Sequence, residues 1–231
     1  MQVVGVDGCP GGWIAIAYDS EGSSITARVH PTFRDLLAAY PEAVSIGIDI
    51  PIGLVEGEPR RCDIEARQVL GPRRSSVFPA PDRRVLHSST YRDALERSRA
   101  LTGKGISRQA FGIYPKVAEV DREMTPELQQ RVFEVHPEVS FWALAGKPMA
   151  FRKSLVEGFT ERRTHLQAAF AGLTIPGREE ARRLARPASA DDVLDAIVVA
   201  WTARRHATGR SCRLPSEAMI ASRGLRMEIV Y

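Results

Sequence analysis

The stretch that decides the fold is VVGVDGCPGGW, residues 3–13, in which a short apolar run ends on a carboxylate and is followed by glycines. Residues 2–7 have the nearly continuous hydrophobicity of a strand that is buried on both faces. The glycines after Asp7 allow the backbone to turn sharply and to approach a ligand without conflict from Cβ atoms. We therefore predict a buried strand that leaves Asp7 uncovered at a sheet edge. A local turn stabilised by Asp7 is the alternative.

Similar patterns continue downstream of this strand. Apolar residues predict strands at 13–19, 24–30 and 45–54 and a helix at 31–40. The segment SEGS at 20–23 is a turn signal between two of these strands, and Pro51 ends the last one. The order strand, strand, strand, helix, strand predicts a meander and then a crossover to a strand parallel to the first.

The rest of the chain has a different residue composition and pattern. Between about 56 and 125, prolines, arginines and short helical runs occur without strong strand signals, which indicates an insertion on the sheet. Later patterns predict a strand at 131–136, helices at 153–170 and 189–207, and a closing strand at 224–231. We expect one α/β domain, residues 1–231, with a mixed sheet and a basic insertion.

The overall composition is that of a soluble globular protein, with 44% hydrophobic and 26% charged residues. No apolar stretch is as long as a membrane span, and the N-terminal residues lack the features of a secretory signal. These observations predict a cytoplasmic protein that does not associate with membranes. Three widely separated cysteines give no support to a disulfide framework or a structural zinc site.

Positive charge is concentrated in one part of the chain. Between Gly57 and Lys116 there are thirteen Arg or Lys and six Asp or Glu, a balance of +7, so the remainder of the +4 chain carries −3. Such a segment suits a polyanionic partner, either nucleic acid or another phosphate-bearing substrate. A solvated, arginine-rich surface is the alternative.

Two carboxylates fall where strands are expected to end. Asp7 lies at the carboxyl end of the first predicted strand, and Asp49 interrupts the apolar run IGIDIPIG near the end of the fourth. Ligands bind at the carboxyl ends of strands in open α/β sheets. If these strands are parallel neighbours, the two carboxylates converge, and they then need a cation or a shared proton.

The helix at 189–207 adds two more acids. Asp192 and Asp195 are three residues apart and lie on one face of this helix. Ser189 and Asp192 match a capping box, which explains Asp192 without a ligand but leaves Asp195 unexplained. Together, the candidate metal ligands are Asp7, Asp49, Asp192 and Asp195, an oxygen-rich set that suits Mg²⁺ or Mn²⁺. Two such ions can activate water and stabilise a leaving oxygen in phosphodiester cleavage.

The basic segment also contains candidate phosphate-binding residues. They are Arg73, Arg74, Ser75, Ser107, Gln109 and Lys116. Paired arginines bind phosphate oxygens through two hydrogen bonds at once, and hydroxyl groups add further donors. Phe111 and Tyr114 lie among these residues, where they either stack on bases or form part of the core.

The segment FEVHPEVSF carries two further candidates. Glu134 alternates with apolar neighbours on a predicted strand, where it is a candidate metal ligand or general base. His136 is a candidate substrate-binding residue or proton shuttle. Alternatively, Glu134 pairs with an arginine and His136 forms a hydrogen bond within the core.

This arrangement of acids on the first strand, the fourth strand and a late helix resembles the ribonuclease H-like superfamily. The D-x-x-D-A-I pattern at 192–197 is similar to the last-helix motif of Holliday-junction resolvases. The segments GVDGCPGGW, IGIDIPIGL, RRSSVFPAP, GISRQAFGIYPKVAEVD, FEVHPE and DDVLDA resemble the domain-of-unknown-function family 429, whose members are commonly predicted to be ribonuclease H-like nucleases.

The resemblance implies a metal-dependent nuclease, with Asp7, Asp49 and Asp195 as the central ligands and Asp192 as an auxiliary one. Two other functions remain open. One is an actin-like ATP-dependent phosphotransferase, in which the DGCPGG loop holds phosphates. The other is a noncatalytic module that binds nucleic acid or nucleotides. The sequence contains neither a G-x-S-x-G nucleophile elbow nor a P-loop.

Overall fold

The computed structural model describes residues 1–20, 24–170 and 172–231. Its main sheet has five strands, β1 (Gln2–Cys9), β2 (Gly12–Asp19), β3 (Ser24–His30), β4 (Ser45–Ile48) and β5 (Val132–Glu134), in the order β3-β2-β1-β4-β5. Strands β1 to β3 form an antiparallel meander, whereas β4 runs parallel to β1 and β5 runs parallel to β4. The predicted α/β class and mixed sheet are therefore confirmed.

Helices surround this sheet on both faces. They are α1 (Phe33–Ala39), α2 (Arg61–Leu70), α3 (Tyr91–Thr102), α4 (Arg108–Gly112), α5 (Tyr114–Glu123), α6 (Pro137–Ala145), α7 (Val156–Ala169), α8 (Arg178–Leu184) and α9 (Ala190–Ala207). The segment at 56–125 contains α2 to α5 and two 3₁₀ turns, and it contributes no strand. Among the described helices, none combines the length and the apolar character that crossing a lipid bilayer requires.

The core has two main layers because side chains alternate along the central strands. Val3 faces the layer that contains α9, and Val4 and Val6 face the layer that contains residues of α1 and α5. Helix α9 packs across β1, β2 and β4. The helix predicted at 189–207 thus lies against the middle of the sheet.

Two glycines let α9 approach the sheet closely. Gly5 on β1 pairs with Gly47 on β4. A Cβ atom at Gly5 would lie 2.1 Å from the backbone of Ala196 and Ala200, and one at Gly47 would lie 2.9 Å from the side chain of Val199. Because neither glycine has a side chain, α9 can lie close to β1 and β4 at this pair.

We expect Gly5→Ala to lower the free energy of unfolding by about 1–3 kcal/mol, because the added methyl group forces the backbone of α9 away from β1. Urea denaturation followed by circular dichroism measures this loss. Gly112→Ala is the matched control, since a Cβ atom there meets nothing within 4 Å. Equal stability of the two variants would contradict the close packing of α9.

The glycines that follow Asp7 build a tight hairpin between β1 and β2. Cys9 pairs with Gly12 across a turn at Pro10 and Gly11, and Gly11 has a φ of 83°. A Cβ atom at Gly12 would lie 2.0 Å from the carbonyl oxygen of His30, so only glycine fits there. The predicted sharp turn is confirmed, and chain geometry alone accounts for both glycines.

Several element boundaries differ from the sequence-based predictions. The strand predicted at 45–54 ends at Ile48, and the apolar residues after Asp49 form a buried irregular loop. The strand predicted at 224–231 spans β7 (Arg226–Val230), which pairs with an unpredicted strand, β6 (Arg213–Ile220). Most of the turn predicted at 20–23 lies outside the described residues.

Candidate carboxylate site and its cleft

Asp7 and Asp49 lie side by side near the carboxyl ends of adjacent parallel strands. The expectation that Asp7 ends its strand uncovered is wrong, because β1 continues to Cys9 and Asp7 is buried on the face that α9 covers. Val6 on β1 pairs with Ile48 on β4, and the Asp49 N–H donates to the carbonyl oxygen of Val6 at 2.9 Å. Each aspartate follows its strand's packing glycine by two residues. Because side chains alternate, both carboxylates lie on the face of the sheet that α9 covers.

Helix α9 brings the third carboxylate to the same place. Asp195 immediately precedes Ala196, the residue whose carbonyl oxygen lies over Gly5. It is 3% exposed and Asp7 is 7% exposed, so both acids are almost completely buried. Asp7, Asp49 and Asp195 line a single cleft. The structure thus places these three acids in one cleft, and their role as metal ligands stays a prediction.

Burial and mutual repulsion raise the pKa values of two of these acids. The Asp7 carboxylate accepts a hydrogen bond from the Gly8 N–H at 2.7 Å. Burial raises the pKa of Asp7 well above its ordinary value, and Asp49 and Asp195 raise it further. Burial also raises the pKa of Asp49 to about 6, although the nearby His136 lowers it. The cluster therefore carries more negative charge than its own hydrogen bonds stabilise.

Lys153 supplies a positive charge to this cluster. Its Nζ atom lies 2.5 Å from Oδ2 of Asp195, and its side chain is about half exposed. Asp195 raises the pKa of Lys153 against the opposing effect of burial, and Asp7 and Asp49 raise it further. Lys153 lies in the irregular segment between α6 and α7. Its ion pair is with Asp195, whereas Asp7 and Asp49 feel its charge without a direct contact.

The position of this lysine depends on a glycine in α7. A Cβ atom at Gly158, in α7, would lie 1.9 Å from the carbonyl oxygen of Arg152. Glycine therefore allows the segment that carries Lys153 to pack directly against the helix. Arg178 also donates to the carbonyl oxygen of Ser154 at 3.4 Å.

The donor chemistry at this cluster fits a hard divalent cation. Carboxylate oxygens are the ligands that Mg²⁺ and Mn²⁺ prefer. Among the described residues, none donates a hydrogen bond to the carboxylate of Asp49. In the parts of the chain that the structure describes, however, no three His, Cys, Asp or Glu side chains stand close enough together to hold a metal ion as placed. The residue types therefore fit a divalent cation. In the arrangement found, however, Lys153 pairs with one oxygen of Asp195.

The acids lie in a cleft of about 870 Å³ whose walls carry charges of both signs, since Asp63, Glu134 and Glu138 line it too. The basic side chains that line this cleft are Arg60, Arg73, Lys116, Arg152 and Lys153. Four of the predicted substrate-binding residues besides Arg73 line it as well, namely Ser75, Gln109, Lys116 and His136. The insertion and the sheet thus contribute to one surface that carries both acidic and basic side chains.

Arg73 and Lys116 already have partners within the protein. Arg73 donates to Glu138 at 3.1 Å and to the carbonyl oxygen of Phe151 at 2.7 Å. Lys116 donates to the carbonyl oxygen of Gly12 and lies 4.4 Å from the centre of the Trp13 ring. Both side chains are therefore held in fixed positions, which favours defined rather than diffuse contact with an anion.

Other predicted substrate-binding residues lie elsewhere. Arg74 is exposed and does not line the cleft. Ser107 caps α4 by accepting the Ala110 N–H at 3.0 Å, and it lines a neighbouring cavity. Of the two aromatic candidates, Tyr114 is 3% exposed and packs in the core layer below β1. The alternative interpretation of Tyr114 as a core residue is the one that agrees with its burial.

The structure does not bring Glu134 into the carboxylate cluster. Glu134 pairs with Ile48, one residue before Asp49, so its side chain projects to the opposite face of the sheet. Its two carboxylate oxygens each accept a hydrogen bond from Arg60 at 2.7 Å, and Oε2 also accepts the Ile52 N–H. The arginine pair that the sequence left as an alternative is the arrangement found, because Arg60 already uses the oxygens that a metal or a proton would need.

Arg60 extends this pair into a buried network beneath the site. It is 2% exposed, and it also binds Asp63 and the carbonyl oxygen of Ile52. Burial alone would lower the pKa of Arg60, but Asp63 and Glu134 together raise it well above its ordinary value. The network fixes the loop that follows Asp49 and hence the position of that carboxylate.

Asp192 and His136 have local partners. Asp192 accepts the Ser189 N–H at 2.8 Å while its own N–H donates to the Ser189 hydroxyl at 3.2 Å, which forms the predicted capping box. This residue does not line the cleft. His136 has Nε2 3.3 Å from the carbonyl oxygen of Ser76, and Nδ1 is buried without a partner among the described residues.

Sequence reasoning missed Lys153 and Arg60. Lys153 follows an exposed, irregular segment in which no periodicity marks a buried contact. Arg60 stands just before α2 as one of many arginines in the basic insertion, so its burial gives no sequence signal.

No curated protein and no solved structure matches the chain. A family model does match it, over residues 5–220, which includes strands β2 to β5, most of β1 and the acids Asp7, Asp49 and Asp195. The description of that family is "Protein of unknown function (DUF429)". Because the match covers most of the chain, this protein belongs to the DUF429 family.

Proposed function

We propose that this protein is a metal-dependent nuclease with a ribonuclease H-like fold. One observation carries the proposal, namely that Asp7, Asp49 and Asp195 line one cleft together with Arg73, Lys116, Arg152 and Lys153. Buried acids that repel one another destabilise a protein, and such costly groups are typical of functional sites. Acidic ligands for a divalent cation, surrounded by groups that attract phosphate, are what phosphodiester cleavage requires.

The arrangement of elements supports the fold assignment. An antiparallel meander, a helix, a strand parallel to β1 and a late helix that crosses the sheet follow one another in the order expected from the resemblance. The acids lie on the first strand, directly after the fourth strand, and on the late helix. The proposal therefore rests on both the chain order and the placement of charge.

Asp7, Asp49 and Asp195 would hold Mg²⁺ or Mn²⁺, which when bound supplies an activated water and stabilises the leaving oxygen. The protein's own groups do the rest. Lys116 and Arg73, held in place by their contacts with neighbouring residues, bind and orient the phosphate. Lys153 offsets the negative charge of the acids and, at the mouth of the cleft, is available to a phosphate oxygen.

The ion pair between Lys153 and Asp195 favours a second candidate function. Because this lysine neutralises part of the cluster, the acids and Lys153 together also suit a noncatalytic module that binds nucleic acid. The two candidates differ in whether a strand is cut, and the same assay separates them.

We expect the wild-type protein to cleave end-labelled oligonucleotides when Mn²⁺ or Mg²⁺ is added, and to stop when the metal is chelated. Asp49→Asn should lower the cleavage rate by at least about a hundredfold, since it removes a metal ligand worth several kcal/mol. The cleaved fraction is measured by gel electrophoresis with single-stranded, duplex and branched substrates.

Asp191→Asn is the matched control, because Asp191 lies in the first turn of the same helix and does not line the cleft. This variant should retain cleavage. Binding of oligonucleotides without metal-dependent cleavage by the wild-type protein would contradict the nuclease and support the noncatalytic module.

A further inference from the structure

A second cavity, of about 390 Å³, adjoins the carboxylate cleft. Its wall is formed by the loops at 55–59 and 77–82 together with the end of α3 and the start of α4. Ser75, Val77 and Phe78 line both spaces. The second cavity and the carboxylate cleft are therefore neighbours that share one wall.

The walls of the second cavity are mainly apolar. Three prolines line it, together with the apolar side chains of Val55, Val77, Phe78, Ala80, Ile106 and Ala110. Hydroxyl groups of Ser98 and Thr102 supply a few polar atoms, and they already donate to nearby carbonyl oxygens at 2.8 Å. The volume lies in the range of about 300–1,000 Å³ that is typical of small-ligand pockets.

The charges around the second cavity balance one another. Two acids, Glu58 and Asp82, and two bases, Arg67 and Lys104, contribute to its walls. Asp82 is also engaged by Arg84 at 2.7 Å. A neutral ligand therefore suits this space.

Phe78 gives the shared wall a stacking surface. Its side chain is 40% exposed, although the preceding residue, Val77, is buried. Arg67 donates to the carbonyl oxygen of Val77 at 2.7 Å and so fixes the segment that presents the ring. An exposed aromatic ring beside an apolar space is the arrangement on which nucleobases stack in single-strand-binding proteins.

We propose that the second cavity binds an unpaired nucleobase, stacked on Phe78, of the strand whose phosphate lies in the carboxylate cleft. This inference rests on the proposed function and adds the substrate class to it. A nucleobase has apolar faces and a polar edge, and it carries no charge, as the balanced walls require. A base within a duplex is stacked between neighbours and cannot enter, so the substrate is single-stranded or has an extruded base.

Fluorescence of 2-aminopurine tests the proposal, because stacking on an aromatic ring quenches this base. The full-length protein is titrated with a single-stranded oligonucleotide that contains 2-aminopurine, in EDTA so that no cleavage occurs. We expect quenching on binding by the wild-type protein and by Phe78→Tyr. Phe78→Ala should bind about tenfold more weakly, the effect of losing one stacked base, and should lose the quenching.

Phe151→Ala is the matched control, since Phe151 is exposed to a similar degree, 45%, but lines neither space. This variant should behave as the wild type. The matching duplex should bind more weakly than the single strand. Equal binding of single strand and duplex, or quenching that persists in Phe78→Ala, would overturn the nucleobase site.

A parallel cleavage assay with Mn²⁺ keeps the two hypotheses separate. Cleavage by the wild type with no effect of Phe78→Ala on binding or quenching overturns the nucleobase site and leaves the nuclease standing. Phe78-dependent quenching without any cleavage supports the nucleobase site and overturns the nuclease.

Discussion

Asp7→Asn is expected to make the metal-free protein more stable and, at the same time, to remove its stabilisation by Mn²⁺. The Asp7 carboxylate is buried beside two other acids, and its pKa is raised by burial and by their charges. Asparagine keeps the acceptor for the Gly8 N–H but carries no charge. We expect a gain of about 1–3 kcal/mol in the free energy of unfolding, the typical cost of a poorly compensated buried polar group.

The sign of the pH dependence follows from the raised pKa of Asp7. The folded protein keeps this proton to a higher pH than the unfolded chain, so the wild type loses stability as the pH rises and the carboxyl group ionises. The gain from Asp7→Asn should therefore be larger at neutral pH than in acid. Urea denaturation at several pH values measures the difference.

The metal response should change in the opposite direction. A cation at 100 times its dissociation constant stabilises the wild type by about 2.7 kcal/mol, and this increment should disappear in Asp7→Asn. Asp195→Asn provides the contrast, because it also breaks the ion pair with Lys153 and should not stabilise the metal-free protein. A stabilising effect of Mn²⁺ that survives Asp7→Asn would exclude Asp7 as a ligand.

Arg60→Leu is expected to destabilise the protein by about 3–5 kcal/mol. Arg60 is the cation between Glu134 and Asp63, and all three side chains are almost completely buried. Removing one member of a buried ionic network leaves the others without compensation, which costs far more than the network itself contributes. Thermal and urea unfolding measure the loss.

The neighbouring arginine offers a control of the same size and charge. Arg61 pairs with Glu65 on the surface of α2, and its side chain is 61% exposed. Arg61→Leu should cost less than about 0.5 kcal/mol, as exposed helical pairs typically do. Similar losses for the two variants would show that Glu134 and its loop do not depend on Arg60.

The meeting of Asp7 and Asp49 could be predicted from the sequence because it depends on local patterns. An apolar run that ends on an acid identifies the carboxyl end of a strand, and the crossover rule makes the two strands parallel. Asp195 could be placed because it borders the apolar stripe of a long helix. In each case, the periodicity of a regular element determines where the side chain points.

Glu134 could not be placed in the same way. Its face of the sheet depends on the register between β4 and β5, in which Ile48 rather than Asp49 is its partner. A shift of one residue would have turned it toward the acids. Its partner, Arg60, comes from the distant insertion, and one sequence contains no signal for such a contact.

The loop after Asp49 and the position of Lys153 also depend on tertiary contacts. Residues after Ile48 keep a strand-like pattern, but Glu134 and Arg60 bind the backbone of Ile52 and hold it in an irregular path. Lys153 reaches Asp195 because Gly158 admits the backbone of its segment. Neither effect has a period that sequence patterns reveal.

Anomalous diffraction from crystals soaked in Mn²⁺ together with an oligonucleotide tests the carboxylate site most directly. We predict an anomalous peak bounded by the carboxylates of Asp7, Asp49 and Asp195, with the Lys153 ammonium moved off Asp195. A peak at any other group of side chains, or the Lys153 pair intact with no peak at the three acids, would contradict the account.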